Sequence, residues 1–216
     1  GVSIGTQGNS ATVSLSSNAS GDVSVAVFAG TVPTSVQVRA VLASNANVEA
    51  TSNQLTVVSG RPVQRAASFA AKTLAIEGYD IDGVTTEVTM RLADRQGNPV
   101  PDGTQINFTS EAGVLLPPSC IVSDGASGCT VVLRSQGTRP ANGRVAVLAY
   151  VPGEEDFVDA NANNTYDSGE TFTDLGNAYR DDNDSGTFDA GEFSVPRAGA
   201  LACSGGISGR LDTCDG

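Results

Sequence analysis

The chain of 216 residues is 39% hydrophobic and 17% charged, with 24 acids, 12 bases and a net charge of −12. It is long enough for one large domain or two small ones, and apolar enough to bury a core. With no histidine and one lysine, Lys72, the chain holds no Ser-His-Asp triad, Cys-His pair or His-ligated metal, and its sign of charge argues against a nucleic-acid partner.

In chain order, residues 11 to 60 predict strands. "ATVSLSS", "DVSVAVFAG", "SVQVRAVLA" and "QLTVVSG" alternate with period two between Asn, Gly, Ser and Pro clusters. "GRPVQRAA" at 60 to 67 reads as a linker. "SFAAKTLAI", "TTEVTMRLAD", "TQINFTSEA", "CTVVLRS" and "RVAVLAYV" follow as a second strand series, with "RQGNPVPDG" as a turn between two of them. No stretch sustains a helical period. Short strands and frequent turns predict all-β, immunoglobulin-like antiparallel sandwiches, with a barrel or jelly roll as the alternatives. The domain boundaries read as 1–60, a partial immunoglobulin-like domain, and 61–216, a second one carrying an acidic insertion at 154–192.

Four cysteines fall in two close pairs, Cys120 with Cys129 and Cys203 with Cys214. Neither pair has zinc-ligand spacing, so disulfides and an oxidising compartment are expected. No signal peptide and no membrane-spanning apolar run is present, which fits a mature secreted product or a fragment of one.

The insertion holds twelve of the 24 acids and one base, Arg180, so nearly all the net charge sits between 154 and 192. A bound cation is its natural complement. "DANANNTYDSGE" at 159–170 aligns without gaps on "DDNDSGTFDAGE" at 181–192. Asp159, Asn161, Asn163, Thr165, Asp167 and Glu170 fall at positions 1, 3, 5, 7, 9 and 12 of an EF-hand-type calcium loop, as do Asp181, Asn183, Ser185, Thr187, Asp189 and Glu192. Ca2+ is a hard ion that takes six to eight oxygens, and alternate residues of a short loop supply them. Asn164 and Gly186 occupy the sharp turn at position six, which wants a positive φ. Tyr166 and Phe188 at position eight would anchor each loop. A solvated acidic loop is the bland alternative, and the gap-free repeat favours calcium over it. "TFTDLGNAYR" between the loops is a poor helix, so loops without the EF-hand helix pair are expected. The same lack of amphipathic helices weakens a dockerin reading. Asp174 and Asp156 are candidates to complete or bridge the sites. Glu154, Glu155 and Asp156 form a carboxylate cluster that fits calcium ligation or solvated surface better than glycosidase chemistry.

"NPVPDGT" at 98–104, the Cys120/Cys129 pair and "RPANGRVAVLAY" at 139–150 resemble the bacterial immunoglobulin-like domains of the intimin/invasin group. The "GEEDF" run followed by the two acidic loops resembles a subset with a calcium-binding insertion. The resemblance covers residues 62 to 203. It implies a sandwich on a secreted or cell-surface bacterial protein, with a structural rather than enzymatic role: a stalk, adhesin segment or filament subunit. A glycan- or protein-binding module, or an accessory domain of an extracellular enzyme, is the alternative. Ser185 departs from the usual Asn or Asp. Residues 1 to 59 match only the later strands of such a domain, and no closing strand follows Cys214. From this come two further expectations: the chain neighbours other domains of a longer protein, or copies associate head to tail by strand exchange through "ATVSLSS" or "DVSVAVFAG".

Overall fold

The computed structural model describes residues 2–30, 32–58 and 60–196. The chain is all-β: among the described residues the helical content is one 3-10 turn at Gln64–Ala66. It divides into two compact units, Gly1–Ser59 with Asp159–Glu170, and Gly60–Val158 with Thr171–Gly216.

The first unit contains β1 (Ser3–Ile4), β2 (Val27–Phe28), β3 (Thr34–Val36), β4 (Arg39–Leu42), β5 (Asn45–Thr51) and β6 (Leu55–Val57). They form three antiparallel pairs, β1 with β2, β3 with β6 and β4 with β5. None of its described residues from 2 to 58 is buried. Alternation sets register only where one face meets a core, which is why "ATVSLSS" runs outside any ladder and "DVSVAVFAG" narrows to β2. β5, a polar strand that alternation does not mark, is held instead by cross-strand contacts. Arg39 pairs with Glu49, and the Ser52 hydroxyl accepts the Val38 N–H at 2.9 Å.

The second unit is an antiparallel sandwich. Its strands are β7 (Ser68–Ala71), β8 (Thr85–Arg91), β9 (Gln105–Ser110), β10 (Val114–Leu116), β11 (Ser119–Ile121), β12 (Gly128–Arg134) and β13 (Val147–Tyr150). One sheet has the order β10-β12-β8-β7 and the other β11-β9-β13. The first of these is the A-B-E-D arrangement of an immunoglobulin-like sandwich. Val88 and Met90 of β8, Leu115 of β10 and Val131 of β12 meet Ile106 and Phe108 of β9 in one core. Leu92, Val100 and Val122 fill it from the connections. β8 alternates as the sequence predicts, with Thr86, Val88 and Met90 buried and Thr85, Glu87 and Arg91 exposed.

Two strands end earlier than their apolar runs. β7 stops at Ala71 because the Thr86 hydroxyl takes over, accepting from Thr73 N–H at 3.1 Å and donating to its carbonyl at 3.0 Å. β13 starts only at Val147, since the Ala146 N–H is taken by the Glu111 carboxylate at 3.2 Å. No alternating run marks β10 and β11. They flank Pro117 and Pro118, residues that mark a strand edge or break.

Cys120 on β11 and Cys129 on β12 form a disulfide with Cα atoms 6.2 Å apart. The Asp-Gly turn between them is as expected: Asp124 (φ 57°) and Gly125 (φ 68°) are both left-handed, and the Ala126 N–H donates to the Ser123 carbonyl at 3.0 Å, a type I′ turn. It carries the chain from one sheet to the other, so the disulfide ties the two sheets together. Gly128 is required beside it, because a Cβ there would lie 2.0 Å from the Met90 carbonyl oxygen. The expected Cys203–Cys214 bridge and any strand after Cys214 lie outside the described residues. Replacing both Cys120 and Cys129 by Ala should lower the unfolding free energy in urea by about 2–3 kcal/mol, and an unchanged midpoint would show that the bridge constrains nothing.

Candidate metal centre

The two acidic loops share one framework, larger than the twelve-residue match. At the root of the first, Phe157 and Phe172 form an antiparallel bridge, and the Val158 N–H donates to the Thr171 carbonyl at 2.8 Å. At the root of the second, β14 (Ala178–Tyr179) pairs with β15 (Ser194–Val195), Tyr179 opposite Ser194, and the Arg180 N–H donates to the Phe193 carbonyl at 2.8 Å. Each of these residues lies 22 positions from its counterpart. The first loop is therefore closed by an isolated bridge and the second by a pair of short strands, in place of an EF-hand helix pair.

Within the loops the backbone repeats as well. Positive φ falls at positions 4, 6 and 11 of both: Ala162 (59°), Asn164 (62°) and Gly169 (103°), then Asp184 (59°), Gly186 (78°) and Gly191 (107°). Left-handed backbone is a strained choice for Ala162, while Asn164 and Asp184 are of the types that tolerate it best after glycine. The first carboxylate offsets that strain. Asp159 accepts from the N–H groups of Asn163 at 3.1 Å and Asn164 at 2.7 Å, and Asp181 accepts from Ser185 at 2.9 Å and Gly186 at 2.7 Å. Asn161 and Asn183 accept the same position-five N–H through their amide oxygens, at 3.0 and 2.9 Å. The position-seven N–H of Thr165 donates to the Asn163 amide oxygen at 2.8 Å, and that of Thr187 to the Ser185 hydroxyl at 3.2 Å.

The twelfth residue closes each ring. Glu170 accepts from Ala160 N–H at 2.8 Å and Asp167 N–H at 3.0 Å. Glu192 accepts from Asp182 and Asp189 N–H, both at 2.9 Å. Positions 3, 5 and 9 converge on one another. The amides of Asn161 and Asn163 each donate to Asp167 at 2.7 Å, while the Asn183 amide and the Ser185 hydroxyl each donate to Asp189 at 2.8 Å.

These donors are all oxygen-bearing groups suited to a hard cation, and each carboxylate oxygen that accepts one N–H keeps a lone pair. Among the described residues no three His, Cys, Asp or Glu side chains gather as a metal site. At the calcium-loop positions each loop has three such side chains, at positions 1, 9 and 12. The other donors are amide and hydroxyl oxygens. The residues fit calcium with this mixed donor set.

Phe188 anchors its loop as expected, edge-on to Tyr179 with ring centroids 5.7 Å apart. Asp156 and Asp174, the candidates to complete or bridge the sites, have partners of their own. Asp156 pairs with Arg65 at 2.5 Å, and the Asp174 carboxylate accepts the Gly176 N–H at 3.1 Å. The rest of the "GEEDF" cluster is partnered as well. Glu154 pairs with Arg95 at 3.2 Å, and Glu155 accepts the Leu175 N–H at 2.9 Å. The Arg95 guanidinium also lies 3.5 Å from the Phe157 ring centroid, and Asp156 raises the affinity of Arg65 for its proton. These arginines, with Arg180, are positioning groups that motif spacing did not reveal. Buried Asp94 escaped notice for the same reason. Its carboxylate accepts the Gln96 and Asn98 N–H groups at 3.0 and 2.8 Å and shapes the "RQGNP" turn.

The chain matches no family model, no curated protein and no solved structure with which it was compared.

Hydrogen bonds from Asn183 and then Ser185 hold the Asp189 carboxyl below the ordinary range. A carboxylate depressed in the folded state stabilises the fold above its unfolded value of about 4, and that contribution is lost as pH falls through the lower folded value. In calcium-free protein, an NMR titration should place Asp189 below the ordinary range, and Asn183→Ala with Ser185→Ala should return it upward. An ordinary value in the unaltered chain would contradict the loop geometry.

Proposed function

We propose that this chain is a structural segment of a secreted or cell-surface bacterial protein, an immunoglobulin-like unit of the intimin/invasin kind stiffened by calcium. The observation that carries the reading is the repeated framework. Two loops 22 residues apart place the same oxygen-bearing positions, the same left-handed turns and the same carboxylate-to-N–H bonds on antiparallel bridged roots. When bound, calcium supplies two positive charges per site and cross-links the loop oxygens. The chain's own residues do the rest: Asp159 and Asp181 fold the first turn, Glu170 and Glu192 close the ring, and the roots hold the ends. The role is a stalk, adhesin segment or filament subunit and not an enzyme.

Head-to-tail association by strand exchange belongs to the same reading. It is supported by the alternating segment 11–17, which has no ladder within its own unit. No described helix is long and apolar enough to cross a membrane.

Removing calcium should leave the insertion's negative charge without its counter-charge and loosen it by self-repulsion. At a hundredfold excess over Kd, two sites contribute about 5 kcal/mol, so chelation should lower Tm by on the order of 10 °C and open residues 154–192 to protease. The same Tm and digest with and without chelator would overturn the calcium reading.

A further inference from the structure

The two loops differ at a pair of residues that the repeat does not predict. In the second, position two is Asp182 and the root residue before the loop is Arg180; their counterparts in the first are Ala160 and Val158. Arg180 grips Asp182 with a fork, Nε to Oδ1 at 2.5 Å and Nη2 to Oδ2 at 3.0 Å. Its remaining nitrogen, Nη1, donates to the Thr109 hydroxyl on β9 at 2.8 Å. The side chains of Arg180 and Asp182 are only 14% and 26% exposed, so this pair is shielded more than a surface bridge. The Asp182 N–H in turn holds Glu192 Oε1 at 2.9 Å.

A continuous chain of contacts thus runs from β9 through Thr109, Arg180 and Asp182 to the twelfth-position carboxylate. The first loop makes the equivalent bond from Ala160 to Glu170 with no side-chain clasp behind it.

Resting on the calcium reading above, we infer that Arg180 is a positioning residue for the second calcium site: with Asp182 and Thr109 it presets Glu192 and couples calcium at that loop to the stability of the sandwich. A twelfth carboxylate already held in place loses less freedom on binding the ion. Partners that orient a ligand without touching the metal are commonly worth ten- to hundredfold in affinity. The hydrogen bonds of Arg180 go to Asp182 and Thr109, so it acts through Asp182.

The test isolates each loop by disabling the other. Calcium is titrated calorimetrically into full-length Glu170→Gln protein, which reports loop two, and into Glu192→Gln protein, which reports loop one. Adding Arg180→Met should raise Kd at least about tenfold in the first background and leave it within about twofold in the second, with the calcium-induced rise in Tm reduced only in the first. Thr109→Val spares the loop itself and should reduce the same rise in Tm, while Arg180→Lys, which keeps the charge but not the fork, should restore part of the affinity. Equal weakening of both loops, or no weakening of loop two, would overturn the inference while leaving the calcium reading intact. An unaltered chain that takes up no calcium would overturn both.

Discussion

The structure depends on how twelve carboxylates are accommodated within residues 154–192. Like charges this dense repel, and a folded segment must answer them with donors or cations. Arginines answer four of them. Arg95 takes Glu154, Arg65 takes Asp156, Arg180 takes Asp182 and Arg144 takes Asp184. Among the described residues, no ion pair reaches Asp159, Asp167, Glu170, Asp181, Asp189 or Glu192. These six are the loop carboxylates at positions 1, 9 and 12. Arginine charge thus goes to Glu154 and Asp156 before the first loop and to positions two and four of the second, while backbone N–H groups, amides and a hydroxyl organise positions 1, 9 and 12. That division supports a proposal in which an exogenous cation supplies the remaining positive charge.

The arginines have a second consequence. Arg65, Arg95 and Arg144 come from outside the insertion, and Arg180 reaches back to Thr109 of β9. Electrostatic neutralisation and mechanical attachment are therefore the same contacts. A cation–π contact of Arg95 over Phe157 at 3.5 Å places one such anchor beside the first root. Beneath it the core needs little help. Val88, Ile106, Val122 and Val131 are at most 3% exposed, and the Cys120–Cys129 bridge joins the two sheets.

Much of this was legible in the sequence where periodicity and chemistry coincide. "TTEVTMRLAD" alternates because one face of β8 is core, and the loop repeat is visible because both copies carry acids, amides and hydroxyls at the same spacing. What failed has physical causes. The run 11–17 alternates equally well but meets no core within its unit. Pro117 and Pro118 hid β10 and β11. The paired roots span two residues or fewer at Phe157, Phe172, Tyr179 and Ser194, too short for any period to show. Arg180 stood out as the one base in an acidic run, yet its partner Thr109 lies 71 residues away, and no local pattern encodes such a contact.

The central claim is that both rings hold a calcium ion, and counting the ions tests it most directly. Native mass spectrometry of calcium-saturated protein should find two ions per unaltered chain, one in Glu170→Gln protein and one in Glu192→Gln protein. No bound calcium in the unaltered chain, or two ions persisting in both variants, would contradict the account.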